Sequence, residues 1–299
     1  METAARPSLR AGIVMLLGCV CFAVMSLAIG VAHDTQPTLS STASSAVRSV
    51  VNLIVIVVMA RGEPQLLIGD GRPALWVRGA AGALALLTYF ASVAHIGIGE
   101  AGFLNGTSTF WVAALAPLLL GERGRPLIWL AVAGSLVGTL LLAAPRLGQD
   151  DTPGRLLGAV SGLAAAAAYL GVRRAASSNP PQVIVFYFIA ASTLACGVMV
   201  ALTPVEWPES PAVWLQLVGA GVAATGGQLL MTRAYQLGQA APIAALSTAT
   251  PLLTAAAGIL LLHETPDRYA QVGMLLLATF SVGLPLLDAA LSRNDAPPR

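Results

Sequence analysis

The charged residues of this chain are spaced so far apart that long uncharged runs separate them. The runs cover 11–47 (broken by Asp34), 79–99, 101–121, 127–145, 156–172, 175–205, 210–232, 234–263 and 269–287, and most are 17 to 31 residues long. A helix needs about 20 apolar residues to cross the roughly 30 Å hydrocarbon core of a bilayer. Because the backbone in lipid must satisfy its own hydrogen bonds, apolar runs of this length form helices. The spacing predicts an all-α integral membrane protein.

The composition excludes the other broad classes of protein. Charged residues make up 10% of the 299 residues and the strongly apolar set makes up 56%, whereas a soluble domain has about 25% charged residues. A soluble enzyme of this length would need far more charge on its surface. Disorder requires low hydrophobicity and high charge, and a membrane barrel would show segments of about 10 residues with alternating polarity. Neither pattern is present.

Turn residues and charges divide the runs into ten predicted transmembrane helices. These cover 9–32, 41–60, 74–95, 100–120, 127–144, 155–176, 182–203, 211–234, 241–262 and 268–288. The first run has 22 uncharged residues before His33 and no clear cleavage site after it, which favours an uncleaved span over a signal peptide. The three cysteines all lie inside predicted spans and are expected to pack as small apolar residues.

The positions of the arginines predict the orientation, because cytoplasmic segments are enriched in basic residues. All 16 basic residues are arginines. Twelve fall on one side if the N-terminus is cytoplasmic: Arg6, Arg10, Arg61, Arg72, Arg78, Arg123, Arg125, Arg173, Arg174, Arg233, Arg293 and Arg299. The other side has Arg146, Arg155 and Arg268, while Arg48 lies within the second helix. Both termini are therefore predicted to be cytoplasmic, in a multi-pass protein of the bacterial inner membrane.

An internal repeat organises the chain. Ala94–Gly102 and Ala116–Glu122 recur as Ala234–Pro242 and Gly258–Glu264, at an offset of 140 to 142 residues. Each copy holds five helices, and since five is odd the two copies insert in opposite orientations. The predicted units are 1–148 and 149–290, followed by a short cytoplasmic tail over 291–299. Inverted repeats place a binding site near the membrane midplane, between the halves.

Short motifs in the two copies resemble the EamA-type branch of the drug/metabolite transporter superfamily. They are Leu-Gly-Glu at 120–122, Leu-His-Glu at 262–264, Ala-Tyr-Gln-Leu-Gly at 234–238 and Pro251. The resemblance covers nearly the whole chain and implies a ten-helix bacterial exporter. Asn105 followed by Trp111 looks most like the exporters of aromatic amino acids. Pro251 is expected to kink the ninth helix for gating, and since Thr109 stands at the matching position, only the second half is expected to have this kink.

Polar side chains recur at repeat-related positions and predict a substrate site. On the fourth helix Asn105, Ser108 and Thr109 share one face, as Thr88, Ser92 and His95 do on the third. The repeat offset carries these strips to Gln228, Thr232, Tyr235, Ser247, Thr250 and Pro251. Strips that recur on four helices are expected to converge on a shared cavity. Interhelical packing is the alternative for a single Ser or Thr, whereas the amides of Asn105 and Gln228 need polar partners in hydrocarbon.

Large rings and one arginine complete the predicted pocket. Tyr89, Trp111 and Tyr169 are expected to supply its aromatic wall, with packing in the core or against lipid as the alternative for Trp111. Arg48, inside a span, is the candidate contact for a carboxylate or phosphate; snorkelling or a different helix start is the alternative.

Acidic and nucleophilic chemistry has little support in the sequence. Glu100, Glu122 and Glu264 are expected to cap helices or orient loops. A chain without lysine cannot form a nucleotide-hydrolysing P-loop, and its three histidines are too scattered for a metal set. No enzyme activity, cofactor, metal or nucleic-acid partner is predicted.

The sequence thus predicts a secondary transporter in contact with membrane lipid. It would export small organic metabolites, and amino acids including aromatic ones are the expected substrates, by alternating access. One alternative is a phosphate- or nucleotide-sugar antiporter of the same superfamily, which would need several buried cations. A membrane-embedded lipid-modifying enzyme is the alternative from another class. The oligomeric state stays open, a homodimer included.

Overall fold

A computed structural model describes residues 9–61, 63, 65–122, 125–143, 151–262 and 265–288. Within these residues, ten helices are long and apolar enough to cross a membrane, which confirms the predicted fold class. They are α1 (Leu9–Thr35), α2 (Ser41–Met59), α3 (Pro73–Gly97), α4 (Gly99–Leu120), α5 (Pro126–Ala143), α6 (Thr152–Ala175), α7 (Pro181–Leu202), α8 (Pro211–Leu237), α9 (Ala240–Leu261) and α10 (Arg268–Asp288). The predictions for Arg6, Arg123, Arg146, His263, Glu264, Arg293, Arg299 and the tail 291–299 lie outside the described residues.

The helices begin at residues suited to a helix N-terminus. Proline, whose missing N–H costs nothing there, is the first residue of α3, α5, α7 and α8. At the start of four helices, a side-chain oxygen of the residue before the helix accepts a backbone N–H. These capping residues are Ser40, Asp151, Ser210 and Asp267. Between α3 and α4 the chain turns at Gly97, whose φ of 79° suits a residue without a Cβ.

The loops gather at two ends of the bundle. At the first, Asn179 Oδ1, after α6, accepts the N–H of Asp70, which precedes α3, at 3.0 Å. We call this the basic end, since Arg61, Arg72, Arg125, Arg173, Arg174 and Arg233 lie there; it is the side predicted to be cytoplasmic. At the opposite end Gln36, after α1, donates to the carbonyl of Trp207, after α7, at 2.9 Å.

The helices pack in pairs that exchange partners between the two halves of the chain. Helix α1 packs on α8 and α9, and α6 packs on α3 and α4. Helix α2 packs on α7, and α5 on α10. The first helix of each predicted repeat thus lies against the third and fourth helices of the other.

Two helices are broken within one residue of repeat-related positions, 141 residues apart. The regular helix of α4 is interrupted at Thr107 and that of α9 at Thr248. In each case the threonine Oγ1 donates to the carbonyl three residues earlier, Leu104 or Ala245, at 2.6 Å. A hydroxyl that bonds to the preceding turn bends a helix. The first half thus has a break without a proline at that point, and the gating role of Pro251 stays a prediction.

Proline adds to the break in α9. Pro251 has no N–H to donate, and its ring crowds the carbonyl of Ser247, four residues before it. The carbonyl of Ala245 accepts both the N–H and the Oγ1 of Thr248, and also Ser281 Oγ of α10 at 3.1 Å. The carbonyl of Ala245 at the break is thus satisfied by two hydroxyls.

Candidate substrate-binding cavity

A cavity of about 430 Å³ lies between the helices, beside the breaks in α4 and α9. Small-molecule pockets commonly have about 300–1,000 Å³. Ten of the residues predicted for the site line it: Arg48, Tyr89, Asn105, Ser108, Thr109, Tyr169, Gln228, Ser247, Thr250 and Pro251. The structure therefore brings together side chains from both halves of the chain. Their contact with a substrate stays a proposal.

Hydrogen bonds hold the two broken helices together at the cavity. Thr109 Oγ1 of α4 donates to the carbonyl of Ala244 on α9 at 3.4 Å. Asn105 Nδ2 donates to Ser161 Oγ of α6 at 3.1 Å, so the amide has the polar partner that its burial requires. Its Oδ1 is given no donor by the described residues, so this cavity-lining amide keeps an acceptor for a ligand.

Arg48 lies on α2 and lines the cavity. Its Nη1 is 3.6 Å from the sulfur of Met25 on α1, and its Nε has no partner among the described residues. A thioether is a weak acceptor. The described residues therefore leave most of the hydrogen-bonding capacity of this guanidinium unused.

A side chamber of about 140 Å³ adjoins the cavity. Six residues line both spaces: Leu86, Tyr89, Asn105, Tyr169, Phe188 and Gln228. Arg78 of α3 lines the chamber and is 2% exposed. Its Nη2 donates to Gln228 Oε1 at 2.8 Å, and its Cζ lies 4.1 Å from the ring centroid of Phe188. The cation is thus held between an amide and an aromatic face.

Sequence reasoning missed Arg78 because it was counted with the arginines that flank the cytoplasmic loops. The structure buries it in the bundle instead. A signal was present: Arg78, Gly82, Ala85 and Tyr89 follow one another at helical spacing, and all four line the side chamber.

Other lining residues were missed because the repeat offset was applied to four helices. Helices α1, α2, α5 and α7 also contribute to the wall, with Met15, Phe22, Met25, Ser49, Asn52, Thr139, Phe188 and Ser192. On α7, Phe188 and Ser192 are four residues apart and share a face. Extending the helical spacing by one turn from Ser192, a polar residue within a span, would have pointed to Phe188.

Two of the predicted site residues lie at helix contacts near the opposite end. Ser92 is buried and donates to the carbonyl of Gly154 on α6 at 2.8 Å. His95 Nδ1 lies 3.1 Å from Asp151 Oδ2, just before α6. Both side chains join α3 to the start of α6, away from the cavity.

Three further predicted residues lie in the core or at the surface. Trp111 is 37% exposed and packs edge-to-face on Phe110. Thr232 and Tyr235 are buried, and neither hydroxyl has a partner among the described residues. The ring of Tyr235 stacks behind that of Tyr169, with 5.9 Å between centroids. Tyr235 therefore backs a wall residue.

The glutamates at the two ends of α4, Glu100 and Glu122, make ion pairs. Glu100 Oε1 lies 2.7 Å from Arg155 Nε, and Glu122 Oε1 lies 2.7 Å from Arg173 Nε. Glu122 Oε2 also accepts the N–H of Ala240, the first residue of α9, at 2.6 Å. The predicted capping role is thus present at Glu122, together with links between helices.

No cluster of three or more metal-ligating side chains occurs within the described residues. The cavity is instead walled by hydroxyls, amides, aromatic rings and an arginine. Such a site can bind and orient a small organic molecule.

Comparisons with known proteins agree with this architecture. The model of the EamA-like transporter family matches residues 9–144 and 152–284. This chain belongs to the EamA-like transporter family. Since its described residues include ten helices of membrane-spanning length, it is a multi-pass membrane protein.

Relatives of this EamA-like transporter match along nearly its whole length. The pseudopaline exporter CntI of Pseudomonas aeruginosa is 30% identical over 92% of this chain and 96% of its own. An uncharacterized transporter of Helicobacter pylori is 23% identical over 93% and 96%. Human solute carrier family 35 member G1 is 23% identical over 90% of this chain and 76% of its own.

A solved crystal structure has the same fold. It superimposes with a TM-score of 0.77, covering 96% of this chain and 99% of that chain, at 20% sequence identity.

Proposed function

We propose that this transporter exports small amino-acid-like metabolites, aromatic ones included, across the bacterial inner membrane. The observation that carries the proposal is the cavity between the halves, which has Arg48, the amides of Asn105 and Gln228, and no carboxylate among the described residues that line it. An arginine without a competing acid is suited to the carboxylate of an amino acid.

The rest of the wall suits an apolar or aromatic side chain. Tyr89, Tyr169 and Phe188 present rings to the cavity, and aromatic pairs favour offset or edge-to-face contact. The resemblance to aromatic amino-acid exporters rested on Asn105 and Trp111. Since Trp111 does not line the cavity, these three rings support an aromatic preference in its place.

Alternating access between two inverted repeats is the proposed mechanism. The exchange of first helices between the halves supports it, as do the matching breaks in α4 and α9 and the two segments matched by the family model. Inverted repeats can rock about a fixed central site. We propose 1–148 and 149–290 as the two units and the basic end as the cytoplasmic side, because arginines favour that side.

The pseudopaline exporter supports export as the direction of transport, since its name states that activity. The proposal takes only the direction of transport from this relative. The phosphate- or nucleotide-sugar antiporter remains a second candidate, and Arg78, a second cation beside the cavity, is the observation that favours it.

Counterflow of labelled phenylalanine and threonine in proteoliposomes tests the proposal. The wild type is expected to exchange amino acids, and Asn105→Ala and Gln228→Ala to slow exchange by roughly three- to tenfold through lost hydrogen bonds. Gln271→Ala, which truncates an exposed amide on α10, is the matched control. No exchange of any member of a broad amino-acid panel would reject the proposal.

A further inference from the structure

Two arginines next to the cavity have no acidic partner among the described residues. The ion pairs of the described residues use Arg72, His95, Arg125, Arg155 and Arg173. Arg48 and Arg78 belong to none of them. A guanidinium inside a membrane protein is costly unless it is paired, and such a residue normally serves function.

Neither guanidinium is saturated by neutral partners. Arginine has five N–H donors. Arg78 uses Nη2 for Gln228, and the Nε atoms of both arginines have no acceptor within the described chain. Each side chain therefore retains donors that a carboxylate can accept from.

The two cations line two adjoining spaces. Arg48 of α2 lines the main cavity, and Arg78 of α3 lines the side chamber. Tyr89 and Gln228 line both spaces, so the chamber lies directly beside the cavity. A single phosphate would be better held by cations that converge on one point.

We infer that the transported molecule carries two separate acidic groups, one bound at Arg48 and the other at Arg78. The substrate class is an amino-acid-derived dicarboxylate whose linking atoms pass Tyr89 and Phe188. This inference rests on the proposed function and narrows its substrate.

Glutamate and glutamine provide the test, because they have the same shape and differ by one acidic group. Counterflow in proteoliposomes is measured with L-glutamate, the longer L-2-aminoadipate, L-glutamine and L-phenylalanine. The wild type is expected to exchange the two diacids about tenfold to a hundredfold faster than glutamine, which matches one hydrogen-bonded ion pair. In Arg78→Gln this preference should disappear, because exchange of the diacids falls far more than exchange of glutamine.

Two variants control for charge and position. Arg78→Lys keeps the positive charge and is expected to keep a preference for the diacids. Arg233→Gln makes the same change at an exposed arginine of α8 and should leave the preference intact. Thermal unfolding without ligand adds a second readout: a cation held for a substrate predicts that Arg78→Gln unfolds no earlier than the wild type.

Several results would overturn the inference. These are equal exchange of glutamate and glutamine by the wild type, an equal loss of both in Arg78→Gln, or faster exchange of O-phosphoserine than of either diacid. Failure of Arg78→Gln and Arg78→Lys to fold would assign Arg78 a structural role and also overturn it. Exchange of phenylalanine without a diacid preference rejects this inference alone, whereas no exchange of any amino acid rejects the proposed function as well.

Discussion

Arg173 and Glu122 join the ends of three helices: Arg173 Nε at the end of α6 lies 2.7 Å from Glu122 Oε1, just after α4. The second carboxylate oxygen accepts the N–H of Ala240, the first residue of α9. A carboxylate at a helix N-terminus is favoured by the helix dipole. Since the side chains of Glu122 and Arg173 are 8% and 18% exposed, water screens this pair weakly.

Glu122→Gln is expected to destabilise the protein strongly. The substitution keeps the shape of the side chain but leaves Arg173 as a buried charge without its counter-ion, a loss worth about 3–5 kcal/mol. The midpoint of thermal unfolding in detergent should fall by many degrees. Glu206→Gln, at an exposed glutamate in the loop before α8, is the control. A Glu122→Gln protein that unfolds with the wild type would contradict the assigned role.

The double variant Glu122→Gln, Arg173→Gln separates the charge effect from lost packing. Removing both charges abolishes the desolvation cost as well as the attraction. The double variant should therefore be more stable than Glu122→Gln alone, which the same unfolding measurement checks. If the losses of Glu122→Gln and of Arg173→Gln, measured singly, add up to the loss of the double variant, the two residues do not interact.

The helices could be predicted from the sequence because a single physical rule, the need of apolar runs to span lipid, determines them. The polar strips and the repeat offset then found seven of the ten predicted cavity residues, since a polar side chain within a span must find polar surroundings. Arg78 escaped because its position near the start of α3 fits an interfacial anchor equally well. Whether Arg78 lies at the interface or inside the bundle depends on its neighbours Gln228 and Phe188, which come from distant parts of the chain.

At two other places the structure differs from the prediction because of the hydrogen bond that a side-chain hydroxyl makes. Ser92 follows the polar strip of α3, but its hydroxyl bonds to the carbonyl of Gly154. The helix α4 is interrupted at Thr107, where there is no proline, and the hydroxyl of Thr107 bonds to the carbonyl of Leu104. A pattern of polar residues gives no information on whether a hydroxyl bonds to its own backbone, to a neighbouring helix or to a ligand.

The break in each half should depend on its threonine hydroxyl. Thr107→Val and Thr248→Val keep the shape of the side chain and remove the donor to Leu104 or Ala245, so each is expected to cost about 1 kcal/mol. Substrate exchange should fall in both, because Thr248 lines the cavity and Thr107 adjoins it. Thr279→Val removes a similar hydroxyl bond at an exposed position of α10. Equal effects at all three positions would argue against a special role for the breaks.

The loop before α3 should lose stability in acid. A hydrogen bond from Ser178, with a further one from Asn179, lowers the pKa of Asp70 from 3.8 to about 2. Because the folded protein favours the ionised form, this stabilisation is complete above about pH 3.8 and is lost as the pH falls towards about 2. The wild type should unfold later than Asp70→Asn at neutral pH, and the two unfolding curves should converge below about pH 3.8. Asp34→Asn, at an exposed aspartate, is the control; a difference that grows in acid would contradict the assignment.

Gly273 allows α10 to lie directly on the backbone of α5. A Cβ at this position would lie 2.7 Å from both the carbonyl oxygen of Gly138 and the N of Leu142. Neither group is a flexible side chain that can turn aside, so Gly273→Ala must push the two helices apart. Close approach of backbones at small residues is a main source of helix association in membranes.

Gly273→Ala is therefore expected to cost about 1–3 kcal/mol, the usual price of overpacking, and to lower the midpoint of thermal unfolding. Gly197→Ala is the matched control on α7, since nothing lies within 4 Å of a Cβ built there. Alanine has the higher helix propensity, so this control should be neutral or stabilising by up to about 1 kcal/mol. Destabilisation by Gly197→Ala equal to that by Gly273→Ala would show that the contact with Gly138 and Leu142 is not the cause.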